Sequence, residues 1–382
     1  MTIVFCFTRI FRNSHRQIFG LDKLLEEGHN IILLDLSEMY GGNPTCDDEL
    51  MLGLRERISN KTQLIEFKKS MGSEPVIYVC NDTYLNFAHD AFQLLMRKQD
   101  RLLAFKTKPS PFQIQNETGI KLLLKESLIK LPISPKLVTK SLYQRYHKYF
   151  VPDYFLVTSK FDLPLKALLT LKKENIIIAH SDDVNDILED KTEVQIQERI
   201  GVFLDQILPF AHRGKLDINT YYENIGKTLA KLMEQFNLDK IVIAEHPESV
   251  AVEEELKDKY KGFERYRGNT QKLIKNSTHV FAHYSTSIGL AVYYNKPVVL
   301  LIDANLRKVA WISKAVNTYR KILDLPMIDM EKRNISELEG YAADKKLYNS
   351  YVKKYMKDSE IKERSYHYAL NRIIQDIDNK KL

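Results

Sequence analysis

The chain has 382 residues, 44% hydrophobic and 28% charged, with a net charge of +7. That composition is ordinary for a soluble globular protein and long enough for two domains. Nothing approaches the roughly 18 apolar residues that span a bilayer, so a membrane-spanning helix is excluded. The modest basic excess suits phosphate-bearing or acidic substrates and anionic surfaces. Its dispersion, with no RNA- or DNA-binding motif, argues against nucleic acid as a partner.

The N-terminus, MTIVFCFTRIF, lacks a basic leader and a cleavage site, so Thr2–Thr8 reads as a buried strand rather than a signal peptide. Ser14 can cap a helix to about Glu27, with Gly28 placed to end it, and Asn30–Leu36 is the next strand. This β-α-β spacing starts a parallel sheet. TRIFRNSHR stands where a glycine-rich dinucleotide fingerprint would be, so no dinucleotide is expected. His15 and Arg16 read as exposed helix residues. Residues 39–60 are irregular, a lid or a surface excursion, and Asp47-Asp48 lacks the apolar strand flanks of a metal motif. Lys61–Met71 is helical, and Pro75–Cys80 and Arg101–Lys106 are strands. Cys6, Cys46 and Cys80 are far apart with no metal spacing, as expected of core thiols in a reducing cytoplasm.

Gly119–Leu131 and Pro135–Phe150 read as helices, the second basic and tyrosine-rich: a solvated face, or one that meets a membrane or a polyanionic acceptor. Asp153–Thr158 and Asn175–Ala179 are strands around a helix, Leu163–Lys173. The first domain is expected over 1–195, with its boundary in the charged stretch Glu189–Arg199.

Gly201–Leu204 opens a second domain, 196–330, and its following loop carries Asp205, Gln206, His212, Arg213 and Gly214. Ile218–Phe236 is an amphipathic helix. The apolar run Ile241–Ala244 ends in Glu245-His246-Pro247. Phe263–Arg265 reads as a short strand, and Asn269 or Thr270 as the cap of Gln271–Asn276. Val280–Ala282 ends in His283-Tyr284-Ser285-Thr286-Ser287, followed at once by the helical run Ile288–Tyr294. Pro297–Ile302 is the last clear strand. Trp311 reads as a packing residue, and 331–382 as C-terminal helices packing back on the first domain.

Two strand ends of this kind, side by side in a parallel sheet, would bring His246 and the Ser/Thr cluster to one crevice, where open α/β sheets bind ligands. Small hydroxyls and a helix start supply donors for a phosphate. On spacing alone a simple cap and turn explain them equally well. His283 is either a second phosphate contact or an interior imidazole hydrogen-bonded to backbone.

The stretch AEHPES … NTQKLIKNSTHVFAHYSTSIGLAVYYNKPVVLL resembles the C-terminal domain of GT-B glycosyltransferases, over about Gly201–Asp303. The resemblance is nearest to bacterial sialyltransferases and their capsule and lipopolysaccharide relatives, which use CMP-activated acidic sugars. It extends to the UDP-sugar 2-epimerase group. It implies an α/β chain of two Rossmann-like domains facing a cleft. It implies that His246-Pro247 and Ser285-Thr286, with Ser287 and His283, hold the nucleotide phosphate, and that the loop at Thr270 meets the base. The acidic pair plus glycine that sialyltransferases carry near their base is absent; Leu204-Asp205-Gln206 and Lys215-Leu216-Asp217 stand in that region. Asp205 is the first candidate base, though a cap or salt-bridge role explains it equally well, and His212 is the second.

The expected function is metal-independent transfer of a sugar from a nucleotide sugar, CMP-linked, to a glycan or lipid-linked glycan in bacterial surface polysaccharide synthesis. The nucleotide sugar serves as co-substrate and no cofactor is expected. The expected location is the cytoplasm, with peripheral contact at the inner membrane. The alternatives are a UDP-sugar transferase, a UDP-sugar 2-epimerase-like enzyme, or a non-catalytic member of an assembly complex.

Overall fold

The computed structural model describes residues 1–8, 11–42, 44, 46–85, 88–107, 150–189, 198–332, 335–356 and 360–379. The helices expected over 119–131 and 135–150 lie outside these residues, apart from Phe150. The described residues divide into two compact units: 1–107, 150–189 and 360–379 in one, 198–356 in the other.

The first unit holds a parallel sheet of β1 (Thr2–Phe7), β2 (Asn30–Asp35), β3 (Arg55–Arg57), β4 (Val76–Asn81), β5 (Arg101–Lys106), β6 (Tyr154–Val157) and β7 (Ile176–Ile178), in the order β3-β2-β1-β4-β5-β6-β7. Side chains alternate across it. Val4, Tyr78, Leu102 and Phe155 enter one core; Ile3, Phe5, Ile77, Val79 and Leu103 enter the other. Burial on both faces explains why these strands read as unbroken apolar runs. The helix Ser365–Asp378 closes the second core with Tyr366, Ala369, Leu370, Ile373 and Ile377.

The single helix expected from Ser14 to Glu27 is two, Ser14–Phe19 and Leu21–Glu26, because Gly20 between them is left-handed (φ 63°). Strand β3 lies inside the stretch expected to be irregular. It is a three-residue polar edge strand, held by its ladder to β2 and by an Arg55–Asp35 ion pair rather than by apolar alternation.

The second unit holds β8 (Ile200–Leu204), β9 (Lys240–Ala244), β10 (Glu264–Tyr266), β11 (His279–Ala282), β12 (Val298–Ile302) and β13 (Met327–Asp329). They are all parallel, in the order β10-β9-β8-β11-β12-β13. Counted from β8 this is the doubly wound order 3-2-1-4-5-6. The helix Ile218–Gln235 starts where the Asp217 carboxylate accepts from the Thr220 N–H (2.7 Å), and it buries Tyr221, Tyr222, Ile225, Leu229 and Leu232.

The C-terminal segment departs from expectation. The helix Lys345–Tyr355 packs on the helices Ile288–Tyr293 and Ala310–Leu323 of the second unit, through buried Tyr348, Tyr351 and Tyr355. Of the described C-terminal α-helices, Ser365–Asp378 joins the first unit. The change of unit follows Met356, whose side chain fills the space a Cβ on Gly289 would need. The chain is thus α/β with two Rossmann-like units. Among the described residues no helix is long and apolar enough to cross a membrane.

Candidate functional site

Leu204 of β8 is paired with Ala244 of β9 on one side and Ala282 of β11 on the other, and Ala244 is paired with Tyr266 of β10. The four strands therefore release their next residues at one edge. Asp205, His212, His246, Pro247, Thr270, His283, Ser285, Thr286 and Ser287 all belong to these loops or the helix starts beyond them. The strand order reverses between β8 and β11, which is where doubly wound sheets open a crevice for ligands.

His246 is half-buried and leads into the 3-10 turn Pro247–Val252. Its Nδ1 accepts from the Glu248 N–H at 3.2 Å, so the neutral ring carries its proton on Nε2. Behind it, Glu245 is buried and ion-paired with Arg267 (2.7 Å) and Arg265; Arg265 also pairs with Glu253 (2.9 Å). Ser249 Oγ donates to Glu245 at 3.2 Å and accepts from Arg267 Nε at 2.9 Å. Two carboxylates against two guanidiniums leave this cluster neutral. It fixes the His-Pro turn and adds no net charge that would draw a phosphate.

Ser285 Oγ accepts from the Ser287 N–H at 3.2 Å, leaving its own hydroxyl proton to donate. Ser287, at the helix N-cap, makes no side-chain cap bond, and Thr286 is exposed. The following helix is only six residues long. Its first N–H groups already bond back, Ile288 to Ser285 O and Gly289 to Thr286 O. Hydroxyls, rather than a helix end, are what this loop offers. Thr270 opens the helix Thr270–Asn276, and Asn269 before it makes no side-chain cap bond, so neither caps as expected.

His283 is the interior imidazole of its two readings. It is fully buried, Nδ1 donates to Leu301 O (2.7 Å) and Nε2 accepts from the Tyr221 hydroxyl (2.8 Å). Burial pushes its pKa down to about 4. Both nitrogens are engaged, so the phosphate contact expected of His283 has no atom to make it.

Asp205 is 4% exposed. Its Oδ1 accepts from the Ile207 N–H at 3.0 Å. Its Oδ2 has no partner of regular geometry, although the Tyr260 hydroxyl lies close enough to help hold the carboxylate. Burial pushes the pKa up to about 6 against those hydrogen bonds. The turn it supports is strained: Ile207 is left-handed (φ 45°, ψ 35°), which costs a β-branched residue about 1–2 kcal/mol. His212 ends the helix Leu208–Ala211, half-buried, its ring 5.3 Å from that of Trp311. Burial, then Lys215, holds its pKa below the ordinary histidine value, so the ring is neutral and basic at pH 7. Among the described residues no group of three His, Cys, Asp or Glu could hold a metal ion.

Two residues that the sequence placed, Gln206 in the β8 loop and Trp311 as packing, make contacts it did not indicate. Gln206 Oε1 accepts from the Tyr284 N–H at 3.2 Å, tying the β8 loop to the β11 loop. Trp311 is 38% exposed, its ring 5.0 Å from that of Tyr284. It lies near the start of Ala310–Leu323, the second helix after β12.

No protein-family model matches the chain, and no curated protein matches it. Solved structures do, along nearly the whole chain. MnaA of S. aureus in complex with UDP is 14% identical over 99% of this chain and 97% of its own, with a TM-score of 0.53. A UDP-N-acetylglucosamine 2-epimerase is 11% identical over 100% and 98%, at 0.52. The wall teichoic acid polymerase TagF is 12% identical over 99% and 89%, at 0.51. At these identities the likeness establishes the fold: the two Rossmann-like units are those of GT-B-type enzymes.

Proposed function

We propose that the chain is a glycosyltransferase that takes a sugar from a nucleotide sugar and delivers it to a surface glycan or lipid-linked glycan. The observation that carries this reading is the shared carboxyl edge of β8, β9 and β11. Its polar groups are neutral hydrogen-bond donors, the His246 ring and the serine hydroxyls, beside a charge-balanced Glu/Arg cluster. Such donors stabilise a departing phosphate without a bound ion. Of the two candidate bases, His212 fits an acceptor proton better than buried Asp205: its nitrogens make no hydrogen bond among the described residues, and it is neutral at pH 7. The sequence motifs favour a CMP-linked acidic sugar of the sialic, pseudaminic or Kdo kind, with work at the cytoplasmic face of the inner membrane and no nucleic-acid partner. A second reading, a UDP-sugar 2-epimerase-like enzyme, is favoured by the full-length likeness to a UDP-N-acetylglucosamine 2-epimerase.

Calorimetry with CMP, CDP, UMP and UDP, with and without Mg²⁺, separates them. The transferase reading expects metal-independent CMP binding that weakens about 10- to 100-fold in His246→Ala, the worth of one charge-assisted hydrogen bond. Preference for UDP moves the function to a UDP-sugar transferase or to the second reading, and release of free UDP only when a glycan acceptor is present marks the transferase. No binding of any nucleotide sinks both.

A further inference from the structure

We propose that Gln206 is a ligand-contacting residue, its side-chain amide donating to a phosphoryl oxygen bound at the junction of β8 and β11, with Asp205 as its positioning residue. The inference deepens the nucleotide-sugar reading and rests on it.

Gln206 sits between two buried neighbours, Asp205 and Ile207, and is itself half-buried. It is the first side chain after β8 to reach the surface. Its orientation is set from across the crevice, where the Tyr284 N–H on the β11 loop donates to Oε1. A planar amide held by its oxygen has its NH₂ group fixed on the other side. Among the described residues that nitrogen makes no hydrogen bond. Two donors are therefore held in a fixed direction, and the residue that holds them, Tyr284, immediately precedes the turn that Ser285 opens.

The turn that holds Gln206 is strained. Glycine or asparagine would adopt the left-handed conformation of Ile207 with little strain, so the turn alone does not call for an isoleucine. The Ile207 conformation persists because its side chain is buried and its N–H is held by Asp205 Oδ1. Strain fixed by its surroundings, at the end of a central strand, is typical of residues that must be aimed. Asp205, too deep to touch a ligand, does the aiming.

The chemistry narrows the ligand. The Gln206 amide and the Ser285 hydroxyl are both neutral donors, and the Glu245/Arg265/Arg267/Glu253 cluster behind the next loop is charge-balanced. An anionic group with several acceptor oxygens, a phosphate or diphosphate, answers two such donors better than a neutral ring does.

The test is Gln206→Glu, read by calorimetry at pH 8 with UDP, CMP and pyrophosphate, alongside the melting temperature. A carboxylate still accepts from the Tyr284 N–H, so a residue that only bridges the loops would be replaced without effect. We expect wild-type melting and a loss of about tenfold or more in affinity for whichever probes the wild type binds. Gln206→Met, neutral and of the same length but without donor or acceptor, should lose about tenfold. Wild-type affinity in Gln206→Glu overturns the inference alone. Unfolding of Gln206→Met beside wild-type melting and affinity in Gln206→Glu also overturns it, making the bond to Tyr284 the residue's role. Failure of the wild-type chain to bind any of the three removes the nucleotide-sugar reading itself, and this inference with it.

Discussion

A carboxylate that is 4% exposed and holds a strained turn destabilises the fold when it is charged, and Asp205 reveals this through its proton. Its native pKa stands near 6, against an ordinary 3.8. The native state therefore takes up the proton first as pH falls. Asp205 penalises folding in full above pH 6, and the penalty fades between about pH 6 and 4. The difference between those two pKa values corresponds to roughly 3 kcal/mol. In Asp205→Asn the amide oxygen still accepts from the Ile207 N–H, but nothing ionises. Urea unfolding from pH 4 to 8 should find the variant up to ~3 kcal/mol more stable at pH 8, with a flatter profile between pH 4 and 6. A variant that kept the wild-type slope in that window would mean that the slope arises elsewhere. If Asp205 positions Gln206 rather than taking the acceptor's proton, Asp205→Asn should also keep most of its turnover.

At the scale of elements, everything in the site hangs on β8, the strand from which both halves of the second sheet are counted. Gly201 lets it sit there. A Cβ at this position would come within 2.8 Å of Leu238 Cδ1 and Phe281 Cε2 and 3.0 Å of Ile241 Cγ1. All three are side-chain atoms, two of them on the flanking strands β9 and β11, so relief requires those side chains to shift within a packed core. Gly201→Ala should cost about 1–3 kcal/mol, read as a lower melting temperature. An unaltered melting temperature would mean that the sheet yields there freely. The strands that set this frame were legible because burial on both faces writes an apolar run into the chain, as at Ile241–Ala244 and Val280–Ala282. Strand β3 was not, since its residues Arg55-Glu56-Arg57 are all charged and take their conformation from β2, and β13, Met327–Asp329, offers too short an apolar run to read. The site was legible as loops but not as orientations. Whether His283 faces in depended on Tyr221 and Leu301, and what Gln206 does depended on an N–H 78 residues away. No local spacing carries such information.

For the molecule as a whole, the consequential feature is that its last helix completes the unit made by its first residues. The Tyr366 hydroxyl is 3.0 Å from Thr107 Oγ1, Ser365 Oγ donates to His180 O at 2.7 Å, the Tyr154 hydroxyl donates to Asp376 at 2.8 Å, and His367 Nε2 lies 2.7 Å from Glu27. Beneath these bonds Tyr366, Leu370, Ile373 and Ile377 are buried in the core of the first sheet. Four large side chains at about 1.5–3 kcal/mol each amount to ~6–12 kcal/mol, comparable to the whole stability of an ordinary domain. A chain ending at Met356 should therefore lose the first unit while the second keeps its own core, since Lys345–Tyr355 remains in place. Hydrogen exchange read by mass spectrometry would test this strand by strand. β1, β5 and β6 should lose their protection, and β8, β9 and β11 should keep theirs. Persisting protection in β1 would mean that the helix only covers a core already sufficient without it. Collapse of β8 together with β1 would mean that the two units fold as one.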